Sequence, residues 1–241
     1  METILILHGW GGSSKSWLKV GDILEKQSCK VFKLDLPGFG FTPEPSQPWS
    51  VGNYTDWVND FFEKNNLQHV FLLGHSFGGR IAAKFAVKYP GKLKGLILVD
   101  AAGIARENTM GLKQKIILKL AKSRYFIITF PLLGKLIYPF LQKLSYFLAG
   151  TRDYYLIKSN VMKETFKKTI DEDLSPYFCK ITTPSLVVWG AKDIIIPAKF
   201  AYAINEQIPG SVLEIIPGVG HNPHLESPEI LADKIIKFIT N

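Results

Sequence analysis

Residues 70–79 read VFLLGHSFGG, and this stretch decides the fold. A short apolar run, typical of a buried strand, leads directly into Gly-x-Ser-x-Gly, and a segment with helical periodicity follows over residues 80–89. Small residues must flank a serine on so sharp a strand-to-helix turn, because larger side chains would clash. The stretch therefore predicts a reactive Ser76 hydroxyl at the carboxyl end of a strand, beside a helix N-terminus that favours developing negative charge.

Apolar runs with strand character stand on both sides of this stretch, and segments with helical periodicity separate them. Strands are predicted at Ile4–Leu7, Val31–Leu36, Val70–Leu73, Leu96–Val99, Leu186–Trp189 and Val212–Ile216, and helices at Ser16–Gln27, Tyr54–Asn65, Phe77–Tyr89, Lys199–Gln207 and Pro228–Ile239. Buried strands that alternate with helices predict an α/β fold, with a mostly parallel sheet of about six strands flanked by helices. Functional residues of such sheets collect at the carboxyl ends of the strands.

The alternation stops over residues 101–180, which read as helical with Pro and Gly interruptions. We therefore predict a helical cap (lid) at 101–180, inserted after the fourth strand, and a core domain formed by residues 1–100 and 181–241. The predicted cap holds 14 basic and 6 acidic residues and so carries the whole net charge of +8. Residues 111–152 contain basic residues and no acidic ones. This basic segment indicates a partner that is either an anionic membrane surface or an acidic carrier protein. The alternative is a helix face that is simply solvated. No motif supports nucleic-acid binding.

Two backbone N–H donors are needed wherever a tetrahedral oxyanion is stabilised. The loop after the first strand reads HGWGG over residues 8–12, and its glycines allow a substrate to come close. We predict the Trp10 amide in this loop as one oxyanion-hole donor and the Phe77 amide, next to Ser76, as the other. A dinucleotide-binding loop is the alternative, but the third glycine of that motif is missing.

A serine nucleophile needs a general base, and the base needs an orienting carboxylate. His221 follows the last predicted strand and is the predicted base; His224 is the alternative, although after Pro223 it should begin a helix and point elsewhere. Asp193 follows the strand at 186–189 and is the predicted acid, with Asp100 at the end of the fourth strand as the alternative. Ser76, Asp193 and His221 then occur in the nucleophile–acid–base order of α/β-hydrolases.

Composition narrows the class of protein. The chain has 241 residues, 46% of them hydrophobic and 21% charged, which suits one α/β domain with an insertion and excludes a coiled coil or a disordered chain. Cys29 and Cys179 are too few for a disulfide scaffold or a metal cluster, and we expect both to be buried, reduced thiols. The N-terminus lacks the basic region of a signal peptide. These features predict a cytoplasmic protein without a cofactor or metal.

Taken together, the motifs resemble those of the α/β-hydrolase superfamily, in its carboxylesterase-like branch with a helical cap. The matching segments read HGWGG (8–12), DLPGFG (35–40), GHSFGG (74–79), WGAKD (189–193) and GHNP (220–223). The resemblance implies a helical cap over the active site at 101–180. Family members usually carry two strands before the His-Gly loop, whereas seven residues precede His8, so we expect a sheet truncated at that edge, in a monomer or a homodimer.

Three functions are compatible with these residues. The leading hypothesis is a serine hydrolase that cleaves carboxylic esters of small or medium apolar substrates through an acyl-enzyme. A C–C bond hydrolase with the same triad is the first alternative, and a non-catalytic ligand-binding homologue is the second. A serine at position 76 speaks against the dehalogenase and epoxide hydrolase branches, which the resemblance associates with an aspartate there.

Overall fold

Six parallel strands form the centre of the part of the chain that the structure describes. The structure is a computed structural model that describes residues 1–104 and 157–240. Within them the strands are β1 Thr3–Leu7, β2 Lys30–Leu34, β3 Val70–His75, β4 Leu93–Val99, β5 Ser185–Gly190 and β6 Val212–Ile216. They pair in the order β2-β1-β3-β4-β5-β6, and every pairing is parallel. The predicted sheet is thus confirmed, with strand limits that differ from the predicted ones by a few residues.

Helices connect these strands, because parallel neighbours cannot be joined by a tight turn. In chain order the described helices are α1 Leu18–Lys26, α2 Val51–Lys64, α3 Phe77–Lys88, α4 Asn160–Asp171, α5 Ser175–Phe178, α6 Lys199–Gln207, α7 Pro223–Glu226 and α8 Pro228–Thr240. Short 3₁₀ turns at Ser14–Trp17 and Pro90–Lys92 precede α1 and β4. None of the helices in the described residues is long and apolar enough to cross a lipid bilayer.

The helices cover both faces of the sheet, and each face has its own hydrophobic cluster. One cluster joins Leu5 and Leu7 of β1 to α2, α3 and α6, while the other joins Ile4 and Ile6 to α1 and α8. Successive strand residues point to opposite faces, so β1 contributes to both clusters, and its four apolar side chains from Ile4 to Leu7 are almost completely buried. Because helices cover both faces of the sheet, both sides of each central strand are buried, which explains why the strands appear in the sequence as continuous apolar runs.

Of the predicted cap, residues 101–104 and 157–180 lie within the described residues. There α4 and α5 are helical, and Ser159 onward forms one compact unit with Met1–Ile104. The α4–α5 segment is tied to α3, since Arg80 donates a hydrogen bond of 2.7 Å to the Glu172 carbonyl and Lys84 pairs with the Glu172 carboxylate. The basic segment 111–152 lies outside the described residues, and the division into core and cap stays a prediction.

The two cysteines differ in their surroundings. Cys29 is buried, as the sequence predicts, but Cys179 is exposed. Cys179 directly follows the short helix α5, and its thiol lies at the protein surface at the end of this helix rather than in the core. The expectation of two buried thiols was therefore wrong for Cys179.

Candidate active site

The turn that carries Ser76 has the geometry of a nucleophile elbow. Ser76 has φ 51° and ψ −110°, a backbone conformation that a non-glycine residue rarely adopts. Close approach explains the flanking glycines: a Cβ at Gly74 would lie 2.4 Å from the Gly78 carbonyl oxygen, and one at Gly78 would lie 2.3 Å from the Leu7 carbonyl oxygen. The glycines let β3 and α3 meet at a sharp angle while α3 stays against β1. The serine is thereby lifted to the edge of the sheet, where it is partly exposed.

The two predicted oxyanion donors lie on either side of this turn. Phe77 is the first residue of α3, and Trp10 lies in the loop after β1. Within residues 1–104 and 157–240, neither amide N–H donates a hydrogen bond. The loop comes close to Ser76 because residue 9 lacks a side chain; a Cβ there would lie 3.2 Å from the Ser76 Cβ. Both amides therefore lack an acceptor within the described residues, and their role as oxyanion-hole donors stays a prediction.

Ser76, His221 and Asp193 form a hydrogen-bonded chain. The His221 Nδ1 atom lies 2.7 Å from Asp193 Oδ2, and His221 Nε2 lies 3.1 Å from the Ser76 Oγ. A carboxylate can only accept, so Nδ1 carries the ring proton and Nε2 is free to accept from the serine hydroxyl. The structure thus brings together the three side chains that the sequence singled out, across separations of 28 and 145 residues.

Asp193 is held rigidly on the loop after β5. Its Oδ1 accepts hydrogen bonds from the Ile195 and Ile196 amides at 2.7 and 2.8 Å, and its side chain is 0% exposed. The loop can lie against the end of β6 because residue 190 is glycine; a Cβ there would lie 2.0 Å from the Gly220 carbonyl oxygen. With Oδ1 fixed by two amides, Oδ2 remains directed at His221.

The loop that carries His221 is anchored from two sides. His75 Nε2 donates to the His221 carbonyl oxygen at 2.8 Å, and burial, with the nearby His224 and His221, lowers the pKa of His75 well below its usual value. The Glu226 carboxylate accepts from the Gly220 and Asn222 amides at 2.7 and 3.1 Å. His75 and Glu226 therefore fix the backbone on both sides of the imidazole without touching its reactive edge.

The alternative base and the alternative acid take other positions. His224 lies in α7 and stacks on Trp17 with ring centroids 4.4 Å apart, and burial lowers its pKa to about 4. Asp100 is fully buried and its Oδ1 accepts the Gly190 amide at 3.0 Å, so it does not replace Asp193 at the His221 Nδ1. Burial, followed by the charge of Asp193, raises the pKa of Asp100 to about 9, although the Gly190 amide acts in the opposite direction.

Ligand-type atoms of Asp100, Asp193 and His221 lie within 4.8 Å of one another. Two of these side chains already bond each other through Asp193 Oδ2 and His221 Nδ1. The group therefore has the arrangement of an acid pair beside a base rather than of an open set of metal ligands.

An aromatic cluster lies beside the oxyanion loop. The Trp10 ring makes edge contacts with Phe39, Phe77 and Phe166, with centroids 4.9, 5.1 and 4.8 Å apart. Sequence reasoning did not single out Phe166, which lies in the predicted cap. The buried side of α4 carries Met162, Thr165, Phe166 and Thr169, and this helical spacing is the signal that could have identified it.

The fold and the site together define a hydrolase of the α/β class, and comparison with known proteins gives the family. The family model described as "alpha/beta hydrolase fold" matches residues 2–228, so the chain belongs to that family. The predicted fold class is confirmed.

Several of the named relatives carry esterase or lipase names, whereas a Bacillus subtilis relative that is 26% identical over 100% of this chain is named a putative 2-succinyl-6-hydroxy-2,4-cyclohexadiene-1-carboxylate synthase. Human monoacylglycerol lipase ABHD6 is 26% identical over 99% of this chain and 75% of its own length. A Mycoplasma genitalium protein with an esterase/lipase name is 26% identical over 100% of this chain and 90% of its own. The solved structure of an Exiguobacterium antarcticum esterase is similar with a TM-score of 0.76, at 22% identity over 100% of this chain and 92% of that one, which shows a shared fold.

Proposed function

We propose that this protein is a serine hydrolase that cleaves carboxylic esters through an acyl-enzyme. The observation that carries the proposal is the hydrogen-bonded chain from Ser76 Oγ through the His221 ring to Asp193, at 3.1 and 2.7 Å. Esterase and lipase names among the relatives support the same reaction. Distances of this size are those at which a histidine can take the proton of a serine hydroxyl.

In the first half-reaction Ser76 Oγ attacks the ester carbonyl carbon, and His221 Nε2 takes the hydroxyl proton. The carbonyl oxygen becomes an oxyanion that the Trp10 and Phe77 amides stabilise. When the intermediate collapses, the C–O bond to the alcohol breaks, His221 returns its proton to the leaving oxygen, and the acyl group stays on Ser76. Asp193 stabilises the transiently charged imidazole and keeps Nδ1 protonated.

In the second half-reaction a water molecule replaces the alcohol. His221 takes a proton from the water, whose oxygen attacks the acyl carbon, and the same two amides hold the new oxyanion. Collapse breaks the bond to Ser76 Oγ, which regains a proton from His221. The carboxylic acid then leaves, and the enzyme is restored.

The surroundings of the oxyanion loop favour an apolar substrate. Trp10, Phe39, Phe77 and Phe166 supply aromatic surface next to the proposed reaction centre. Burial of apolar substrate groups against such surface contributes roughly 25 cal/mol per Å². We therefore propose small or medium apolar acyl or alkyl groups as substrates.

Hydrolysis of p-nitrophenyl esters of graded acyl length tests the proposal. Ser76→Ala is expected to lower kcat by at least about 10³-fold with little change in thermal stability, because it removes the nucleophile alone. Ser46→Ala is the matched control, since Ser46 is exposed and far along the chain from the elbow. Turnover by Ser76→Ala at the wild-type rate would refute the assignment.

Covalent labelling with a fluorophosphonate separates the alternatives. An ester hydrolase should label at Ser76 and lose its activity in parallel. A non-catalytic ligand-binding homologue should fail to label while it still folds. Labelling without turnover of any ester, but with turnover of a diketone, would favour a C–C bond hydrolase.

A further inference from the structure

Asp100 is a second buried carboxyl group beside the proposed acid. It follows β4 directly, has φ 41°, and is held by a 3.0 Å hydrogen bond from its amide to the Val188 carbonyl oxygen. Its side chain is 0% exposed, and its carboxyl group lies within 4.8 Å of ligand atoms of both Asp193 and His221. Both the left-handed backbone of a non-glycine residue and the burial of an ionisable group are unfavourable, and together at a candidate active site they indicate a functional role.

Hydrogen bonds involve only one of the two oxygens of the Asp100 carboxyl group among the described residues. Oδ1 accepts the Gly190 amide at 3.0 Å, whereas buried Oδ2 has no donor among the described residues. A buried carboxylate oxygen without a donor is unfavourable, and two carboxylates cannot bond each other unless one of them carries a proton. An acceptor for such a proton, the Asp193 carboxylate, lies within 4.8 Å of the Asp100 carboxyl group. With a proton on Oδ2, the unpaired oxygen becomes a donor to an acceptor that is already in place.

We propose that Asp100 is a positioning residue that keeps a proton on Oδ2 and donates it in a hydrogen bond to the Asp193 carboxylate. The two carboxyl groups then present a single negative charge to His221. This inference rests on the proposed function, because it assigns a role within the same triad. The shared proton fixes the Asp193 carboxylate in addition to the Ile195 and Ile196 amides. It also prevents a second negative charge from retaining the proton that His221 must deliver to the leaving alcohol.

The titratable groups around Asp100 explain why this proton is retained. Asp193 on the loop after β5 and Glu226 on α7 both raise the pKa of Asp100, and burial has the largest effect. His221, on the loop after β6, is the cation-forming group of the cluster. Burial and the two acidic neighbours together raise the pKa of Asp100 to about 9, so its carboxyl group is neutral at physiological pH.

The first test compares two variants across a pH range. Asp100→Asn keeps an acceptor for the Gly190 amide and a donor for Asp193, while Asp100→Ala removes both. We expect Asp100→Ala to lower kcat by about 10²-fold with little change in KM, because Asp193 loses one of the hydrogen bonds that orient it, and we expect Asp100→Asn to restore most of that loss. Wild-type activity should fall above about pH 9, and Asp100→Asn should keep its activity there. Equal losses in both variants, or superimposable alkaline limbs, would overturn the proposal.

The second test observes the proton without any ester. Infrared difference spectra at pH 7 should contain the carbonyl stretch of one protonated carboxylic acid that Asp100→Asn abolishes and the exposed control Asp22→Asn does not. The band should shift in Asp193→Asn, because its hydrogen-bond acceptor changes. If the band is absent while Ser76-dependent turnover persists, this inference fails and the proposed function stands. If the band is present in a protein that hydrolyses no ester, the proposed function fails and the proton pair stands.

Discussion

Gly78→Ala should disable the enzyme through a backbone clash. Gly78 is the second residue of α3, directly beneath the nucleophile turn, and a Cβ at this position would lie 2.3 Å from the Leu7 carbonyl oxygen and 2.7 Å from that of His8. Real Cβ contacts essentially never fall below 3.0 Å. Both obstacles are main-chain atoms of β1 and its loop, so no side-chain rotation can relieve the contact. The start of α3 and the end of β1 must separate by about 0.7 Å to reach that limit.

This displacement acts on the groups that we propose to carry out the reaction. Ser76 and the Phe77 amide lie at the start of α3, and Trp10 follows the end of β1, so separation widens the proposed oxyanion hole. A misplacement of about 1 Å typically lowers the rate by about 10²-fold. Overpacking also costs about 1–3 kcal/mol of unfolding free energy, which exceeds the gain of at most ~1 kcal/mol from the higher helix propensity of alanine. We therefore expect kcat/KM to fall by about 10²-fold and the protein to be less stable.

The measurements are kcat/KM on a p-nitrophenyl ester and urea unfolding followed by circular dichroism. Gly91→Ala is the matched control, because a Cβ at Gly91 meets nothing within 4 Å and its backbone is in an ordinary conformation. The control should retain wild-type activity and stability. A Gly78→Ala protein indistinguishable from Gly91→Ala in both measurements would refute the packing argument for the nucleophile elbow.

Three further outcomes are expected. The unfolded Asp100 carboxyl ionises near pH 3.8 and the folded one near pH 9, so folding takes up a proton between these values and stability falls as pH rises. Between about pH 5 and 8, the unfolding free energy of wild type should therefore fall with each pH unit by about 1.4 kcal/mol more than that of Asp100→Asn. Urea denaturation at several pH values measures this difference. Equal pH dependence of the unfolding free energy in the two proteins would contradict the expectation. Tyr54→Phe should lower the free energy of unfolding by about 1–3 kcal/mol, because it removes a buried 2.9 Å hydrogen bond to the Pro37 carbonyl oxygen, which then has no donor among the described residues. An unchanged midpoint in thermal or urea unfolding would argue against it. If the basic segment 111–152 binds an anionic surface, the protein should sediment with acidic lipid vesicles and be released from them at high salt. Neutral vesicles should bind none of the protein. Equal binding to both kinds of vesicle would contradict the electrostatic interpretation.

Local patterns in the sequence determined the elements and the candidate residues. The apolar runs of β3 and β5 and the helical periodicity of α6 are properties of neighbouring residues, which is why the predicted limits of α6 agree with the structure. The glycines around Ser76 are also a local pattern, and they predicted a sharp turn. Since parallel strands end at one edge, the positions of Asp193 and His221 just after β5 and β6 were sufficient to predict that they approach Ser76.

Tertiary structure alone decided the order of the strands and the partners of the buried polar groups. The bond from His75 to the His221 carbonyl joins residues 146 positions apart, and the one from the Gly190 amide to Asp100 joins residues 90 apart. Sequence reasoning kept Asp100 and Asp193 as rival acids, whereas the fold places their carboxyl groups together because β4 and β5 are neighbours in the sheet. Periodicity reports which face of an element is buried, but the atom that a buried side chain meets depends on how distant elements pack. The charge state of Asp100 depends on that packing, so no pattern within its own strand could have revealed it.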